Sequence, residues 1–159
     1  MVFNIVQRLD RRRFAPAVCV SKRGGALDAE VERLGIPLLA AAVTVTARPY
    51  RTVLPRAWRV AQPFRSYGFT LWHSFDYRDD YTEPIIARLA GAKAWLYTKK
   101  AMAWGSRAWL VRSYLATRIV ADNSEMPAFM FDRAGLRRKV YVVPHGVATD
   151  EFSPPGPGR

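Results

Sequence analysis

Apolar and polar positions along this chain alternate between two periods. Val2, Ile5, Val6 and Leu9 recur at helical spacing, and Ala17 to Val20 then forms a short unbroken apolar run of the buried-strand type. Leu27, Val31 and Leu34 give a second helix face, closed by Gly35 in the place of a helix-terminating glycine. Ile36 to Leu39 is the next strand. From Leu54, the residues Leu54, Ala57, Trp58 and Ala61 outline an amphipathic helix that is expected to fade at Pro63. Three further strand–helix pairs follow. Phe69–Trp72 precedes the helical set Tyr81, Ile85, Ile86 and Leu89, which stops at Gly91. Ala94–Tyr97 precedes Trp109, Leu110, Tyr114 and Leu115. Ile119–Ala121 precedes Met126, Phe129 and Met130, ended by Gly135. Val140–Val143 is the last strand.

Short apolar strands alternating with helices of about three turns predict βαβ units and a mostly parallel sheet. Strands in such sheets are covered on both faces, so they read as continuous apolar runs. The expected fold class is therefore α/β, a Rossmann-like doubly wound sheet in a single domain over residues 1–152. Residues 153–159, rich in Pro and Gly, read as a disordered linker or tail. A doubly wound sheet normally opens on a strand, whereas this sequence opens on a helix, so the first strand is expected to be missing.

Length and composition narrow the picture. A chain of 159 residues builds one core, and 50% hydrophobic with 24% charged residues is the balance of a folded protein. No apolar run approaches the roughly 20 residues of a bilayer span, and no signal-like stretch follows Met1. The lone Cys19 excludes an internal disulfide and a cysteine-rich metal site, which fits a reducing cytoplasm. The net charge of +12, with a pI near 10.5, favours anionic partners. The basic residues are spread through the chain and no nucleic-acid-reading motif is present, so no nucleic-acid partner is expected.

Chemistry in an open parallel sheet sits beyond the carboxyl ends of its strands. That rule selects His73 and Asp76 after the third strand, and Thr98, Lys99, Lys100 and Trp104 after the fourth. It selects Asn123 and Ser124 after the fifth, and His145 and Gly146 after the last. Both histidines fall in this set. Structural roles compete for some of these positions. Asp80 with Glu83, and Asp122 with Glu125, have capping-box spacing. Lys99 and Lys100 suit either a solvated turn or an anionic substrate group. Cys19, mid-strand, reads as packing, as do Trp58, Trp95 and Trp109. Dinucleotide-binding, P-loop, Gly-x-Ser-x-Gly and metal-ligand patterns are all absent from the sequence.

The chain order resembles the N-terminal domain of family-4 type glycosyltransferases of GT-B fold. The segment VYVVPHGVATDEFSP, from Val140 to Pro154, is similar to the interdomain stretch V-I-P-N-G-V-D-x-x-x-F-x-P of that family. Before it, Arg118 to Ser124 with Met126, Phe129 and Gly135 resembles the preceding strand and helix. Leu71-Trp72-His73-Ser74 resembles a strand ending in H-x-H, and Leu9 to Phe14, Gly24-Gly25 and Gly35-Ile36-Pro37 resemble the opening run. The likeness spans nearly the whole chain in order.

The resemblance implies a retaining, metal-independent sugar transferase that needs no cofactor and works between two domains. This chain would supply the acceptor side, and the nucleotide-sugar donor would bind a C-terminal domain that this sequence does not contain. The acceptor would be a glycan or a lipid-linked sugar, with peripheral association at the inner membrane surface. His73 would take the place of the first histidine of H-x-H, and Lys99 or Lys100 would stand near the reacting sugar. Asp76, Thr98, Trp104, Asn123, Ser124, His145 and Gly146 would line the substrate cleft. The sequence departs from the pattern at Phe75, the second histidine of H-x-H, and at His145 and Ala148 in the closing stretch. It also has no E-x7-E pair. On this reading the chain is truncated at both ends and inactive in isolation. The alternative is a non-catalytic α/β binding module that pairs with a separate chain.

Overall fold

The computed structural model describes residues 1–75, 79–102, 106–132, 134–144 and 146. The elements run α1 (Val2–Arg8), β1 (Val18–Val20), α2 (Asp28–Arg33), β2 (Leu38–Ala40), α3 (Val53–Arg65), β3 (Leu71–Ser74), α4 (Thr82–Leu89), β4 (Ala94–Lys99), α5 (Arg107–Leu115), β5 (Arg118–Ala121), a π-helical turn (Pro127–Phe131) and β6 (Val140–Val142). The architecture is α/β, and every strand pairing is parallel.

All six expected strands form on their apolar runs, although Cys19 of β1, expected to be packed, and Tyr141 and Val142 of β6 are exposed. The strands make two sheets, β1-β2 and β3-β4-β5-β6. The four-stranded all-parallel sheet flanked by helices is consistent with a Rossmann-like doubly wound fold. Alternate residues of β2 show helices on both faces. Leu38 packs with Val6 of α1 and Val31 of α2, whereas Leu39 packs toward Ala57 and Ala61 of α3 and Ile86 of α4.

The main core lies between β3–β6 and the helices that follow those strands. Trp95, Ile119, Ala121, Met126, Met130 and Phe131 are fully buried there. Register aligns Trp72 with Trp95 and Ser74 with Tyr97, so these side chains share one covered face. The opposite face of the same sheet is more open, with Leu71 49% and Tyr141 54% exposed. Gly91 ends the segment after α4 at φ +100°, a conformation that a side chain would strain.

Three further expectations are corrected. The third helix does not stop at Pro63 but continues to Arg65. Pro63 withdraws one amide from the ladder on the solvent side, where Arg59 is exposed to water. Phe64, 2% exposed, packs edge-to-face on Trp72 at 4.9 Å and holds the last turn in place. On α5 the buried stripe is Trp109, Arg112 and Ser113, while Tyr114 and Leu115 face outward. Trp58, expected in the core, is 46% exposed.

Candidate functional site

The carboxyl ends of β3 and β4 lie side by side, with His73 opposite Leu96 and Ser74 opposite Tyr97. Beyond them, His73 Nε2 and Thr98 Oγ1 share a hydrogen bond of 2.9 Å. The His73 ring also lies 3.9 Å from that of Phe75, centroid to centroid. Burial without a compensating charge lowers the His73 pKa to about 4, so its imidazole is neutral at pH 7. Lys100 donates from Nζ to the Phe75 carbonyl at 2.6 Å. His73, Thr98 and Lys100 therefore form one group at the mouth of the sheet.

Lys99 diverges from Lys100. Its side chain follows the pleat to the covered face, where Nζ sits 5.1 Å from the centre of the Trp109 ring. Burial lowers its pKa, and the nearby Asp79 carboxylate acts in the opposite direction. Asp79 in turn accepts a hydrogen bond from the Ser106 amide at 2.9 Å, next to the cap of α5. Ser106 itself caps that helix by accepting from the Trp109 amide.

Asn123, at the end of β5, uses its side-chain oxygen to accept from the Glu125 and Met126 amides, each at 3.0 Å. Its amide nitrogen points to the Met102 sulfur at 3.5 Å. Ser124 and Gly146 are exposed. Asp76, Trp104 and His145 lie outside the described residues.

The structure contains a polar centre that the sequence pattern did not reveal. Glu83, at the start of α4, is 2% exposed, and its carboxylate meets Arg112 of α5, which is 1% exposed, at 2.9 Å. Trp72 Nε1 and Ser74 Oγ also donate to Glu83, at 3.1 and 2.9 Å. Arg112 donates to Ser74 Oγ and the Asp80 carbonyl, both at 2.8 Å, and its guanidinium lies over the Trp95 and Tyr97 rings at 4.8 and 5.3 Å. The Tyr97 hydroxyl is 2.6 Å from Ser113 Oγ, which donates to the Trp109 carbonyl. Burial pushes the Tyr97 pKa up to about 12.

Asp80 alone carries out the capping that the Asp80–Glu83 spacing predicted. Its Oδ1 accepts from the Thr82 amide at 2.7 Å and the Glu83 amide at 3.2 Å. Glu83 turns inward instead of reaching back. Ser74, the last residue of β3, therefore hydrogen-bonds to both members of the buried ion pair, next to His73 in the strand.

Chemically, the β3/β4 mouth carries a neutral imidazole, bonded to the buried Thr98 hydroxyl, and an ammonium. This set suits a hydroxyl-rich or anionic ligand. Among the described residues no group of three or more His, Cys, Asp or Glu is placed to hold a metal ion. None of the described helices is long and apolar enough to cross a membrane. No protein-family model matches this chain, and no curated protein matches it significantly.

Proposed function

We propose that this chain is the N-terminal, acceptor-side domain of a GT-B glycosyltransferase, transferring a sugar from a nucleotide-sugar donor to a glycan or lipid-linked acceptor. The observation that carries the reading is the His73–Thr98–Lys100 group at the carboxyl ends of adjacent parallel strands. Ligands of an open α/β sheet bind there, and His73 occupies the position of the first H-x-H histidine in the resemblance. A neutral imidazole suits a hydrogen bond to a sugar hydroxyl, and Lys100 suits a phosphate or pyrophosphate of a lipid-linked acceptor. The donor would bind a second domain, and this chain would form one wall of the cleft.

The test is a binding and turnover assay on the purified chain with nucleotide sugars and a panel of glycans and lipid-linked sugars. The reading predicts binding within the acceptor panel, weakened at least tenfold in His73→Ala, and no sugar transfer by the chain alone. Turnover without a second domain, or binding unaffected by His73→Ala, contradicts it.

A second reading, a non-catalytic α/β module that pairs with a separate chain, is favoured by one feature. Both faces of a parallel sheet are ordinarily covered, yet Leu71 and Tyr141 stand on an open one. A panel in which no sugar binds, together with capture of a stoichiometric protein partner, favours this module.

A further inference from the structure

The outer side of α3 carries large apolar side chains that the core does not use. The helix buries Val53, Ala57, Ala61 and Phe64 on one face. One turn apart on another face stand Leu54, 61% exposed, and Trp58, 46% exposed. With Pro55, Arg59, Gln62 and Leu89 of α4 they line a shallow, mostly apolar groove. Tyr50, in the turn leading into α3, is 64% exposed.

The charge around this groove has one sign. From Arg33 to Phe75 the sequence contains no Asp or Glu, while Arg48, Arg51, Arg56, Arg59 and Arg65 fall within the span of α3 and its lead-in turn. Arg48, Arg51, Arg59 and Arg65 are exposed. Two of them pair with the aromatics, Arg65 over the Trp58 ring at 4.9 Å and Arg48 over the Tyr50 ring at 5.9 Å. Arg65 also donates to the Leu89 carbonyl at 2.8 Å, which ties the groove to the end of α4. Arg56 donates to the Thr52 and Pro49 carbonyls, both at 3.1 Å.

We infer that this face of α3 docks on an anionic lipid bilayer. An exposed tryptophan and leucine flanked by arginines is the arrangement of an interfacial helix. The rings and the leucine enter the boundary between headgroups and acyl chains, and the guanidinium groups reach lipid phosphates. A peptide or protein partner would need to supply acidic groups for four exposed arginines, whereas an anionic leaflet supplies negative charge across the whole face. The groove is open and shallow, which suits a fluid surface. The resemblance implies peripheral membrane association without a face; the face named here rests on α3 alone, and since none of its residues lies at the β3/β4 mouth, failure of the vesicle test leaves the acceptor-site reading standing.

The experiment is co-sedimentation of the full chain with phosphatidylcholine vesicles, with and without phosphatidylserine, at low and high salt. Two exposed-site variants accompany it, Leu54→Ser with Trp58→Ser, and Arg51→Glu with Arg59→Glu; circular dichroism and the thermal midpoint confirm their folding. The expected result is salt-sensitive binding to the anionic vesicles only. Each arginine near the surface changes partitioning by about fivefold, so the charge-reversed variant loses more than tenfold, and the apolar variant loses binding as well. Arg59→Lys retains binding. Four results overturn the inference: no binding to anionic vesicles, equal binding to both compositions, indifference to charge reversal, or self-association through Trp58 by sedimentation velocity. Competition by duplex RNA or DNA with tighter affinity and the same arginine dependence assigns the face to nucleic acid and also overturns it.

Discussion

Arg112 Nη2 lies 2.9 Å from Glu83 Oε2 with both side chains almost wholly removed from water. The pair joins α5 to α4 and reaches the end of β3 through Ser74, so it links the helical layer to the strand that carries His73. Removing one partner leaves the other charge buried without compensation. Glu83→Gln is therefore expected to lower stability by about 3–5 kcal/mol. The double variant Glu83→Leu with Arg112→Met is expected to recover most of that loss, because it removes both charges together. Urea denaturation of the two proteins checks this, and a double variant less stable than Glu83→Gln contradicts it.

Stability is expected to depend on pH through His73. Its pKa is about 4 in the folded protein and 6.5 as the ordinary value. A group whose folded pKa is depressed binds more protons when unfolded, so stability rises with pH across that interval. The contribution of His73 is fully present above pH 6.5 and is lost as pH falls toward 4. Its size is on the order of 3 kcal/mol. The chain contains two histidines, so proton NMR of wild type and His73→Gln assigns the titration directly. A His73 pKa of 6 or above contradicts the buried, neutral imidazole.

Asp80→Ala is expected to cost about 1 kcal/mol through loss of the α4 cap. Because the Glu83 amide is one of the two capped groups, the cap also sets the orientation of the buried pair. Thermal denaturation measures the loss, and an unchanged midpoint shows that the Asp80 carboxylate does not act as the cap.

The elements were legible in the sequence because burial wrote them as apolar runs punctuated by glycine. Gly35, Gly91 and Gly135 all take positive φ near the ends expected for their helices. The helix faces were less legible. Leu54, Ala57, Trp58 and Ala61 fit one apolar stripe by residue type, yet the structure buries the two alanines and turns Leu54 and Trp58 outward. The buried stripe is Val53, Ala57, Ala61 and Phe64, so Leu54 and Trp58, each one position past a buried residue, fall on the neighbouring exposed face. Arg112 and Glu83 were hidden for a different reason. A charged residue on a helix normally marks the solvated face, and pairing across 29 positions leaves no periodic trace. The candidate site was legible at the level of strand ends, since the sheet rule selected His73, Thr98 and Lys100 together. It did not distinguish Lys100 from Lys99, because adjacent residues at a strand end diverge to opposite sides of the sheet.

The most direct test of the acceptor-side reading is residue-resolved binding. Amide and side-chain NMR shifts of the ¹⁵N-labelled chain would be followed during titration with glycans, sugar phosphates and lipid-linked sugars. The account predicts that one acceptor class produces saturable shifts centred on His73, Thr98 and Lys100, extending to Asn123 and Ser124. Saturable shifts that cluster away from the β3/β4 strand ends, or no saturable shift with any member of the panel, would contradict it.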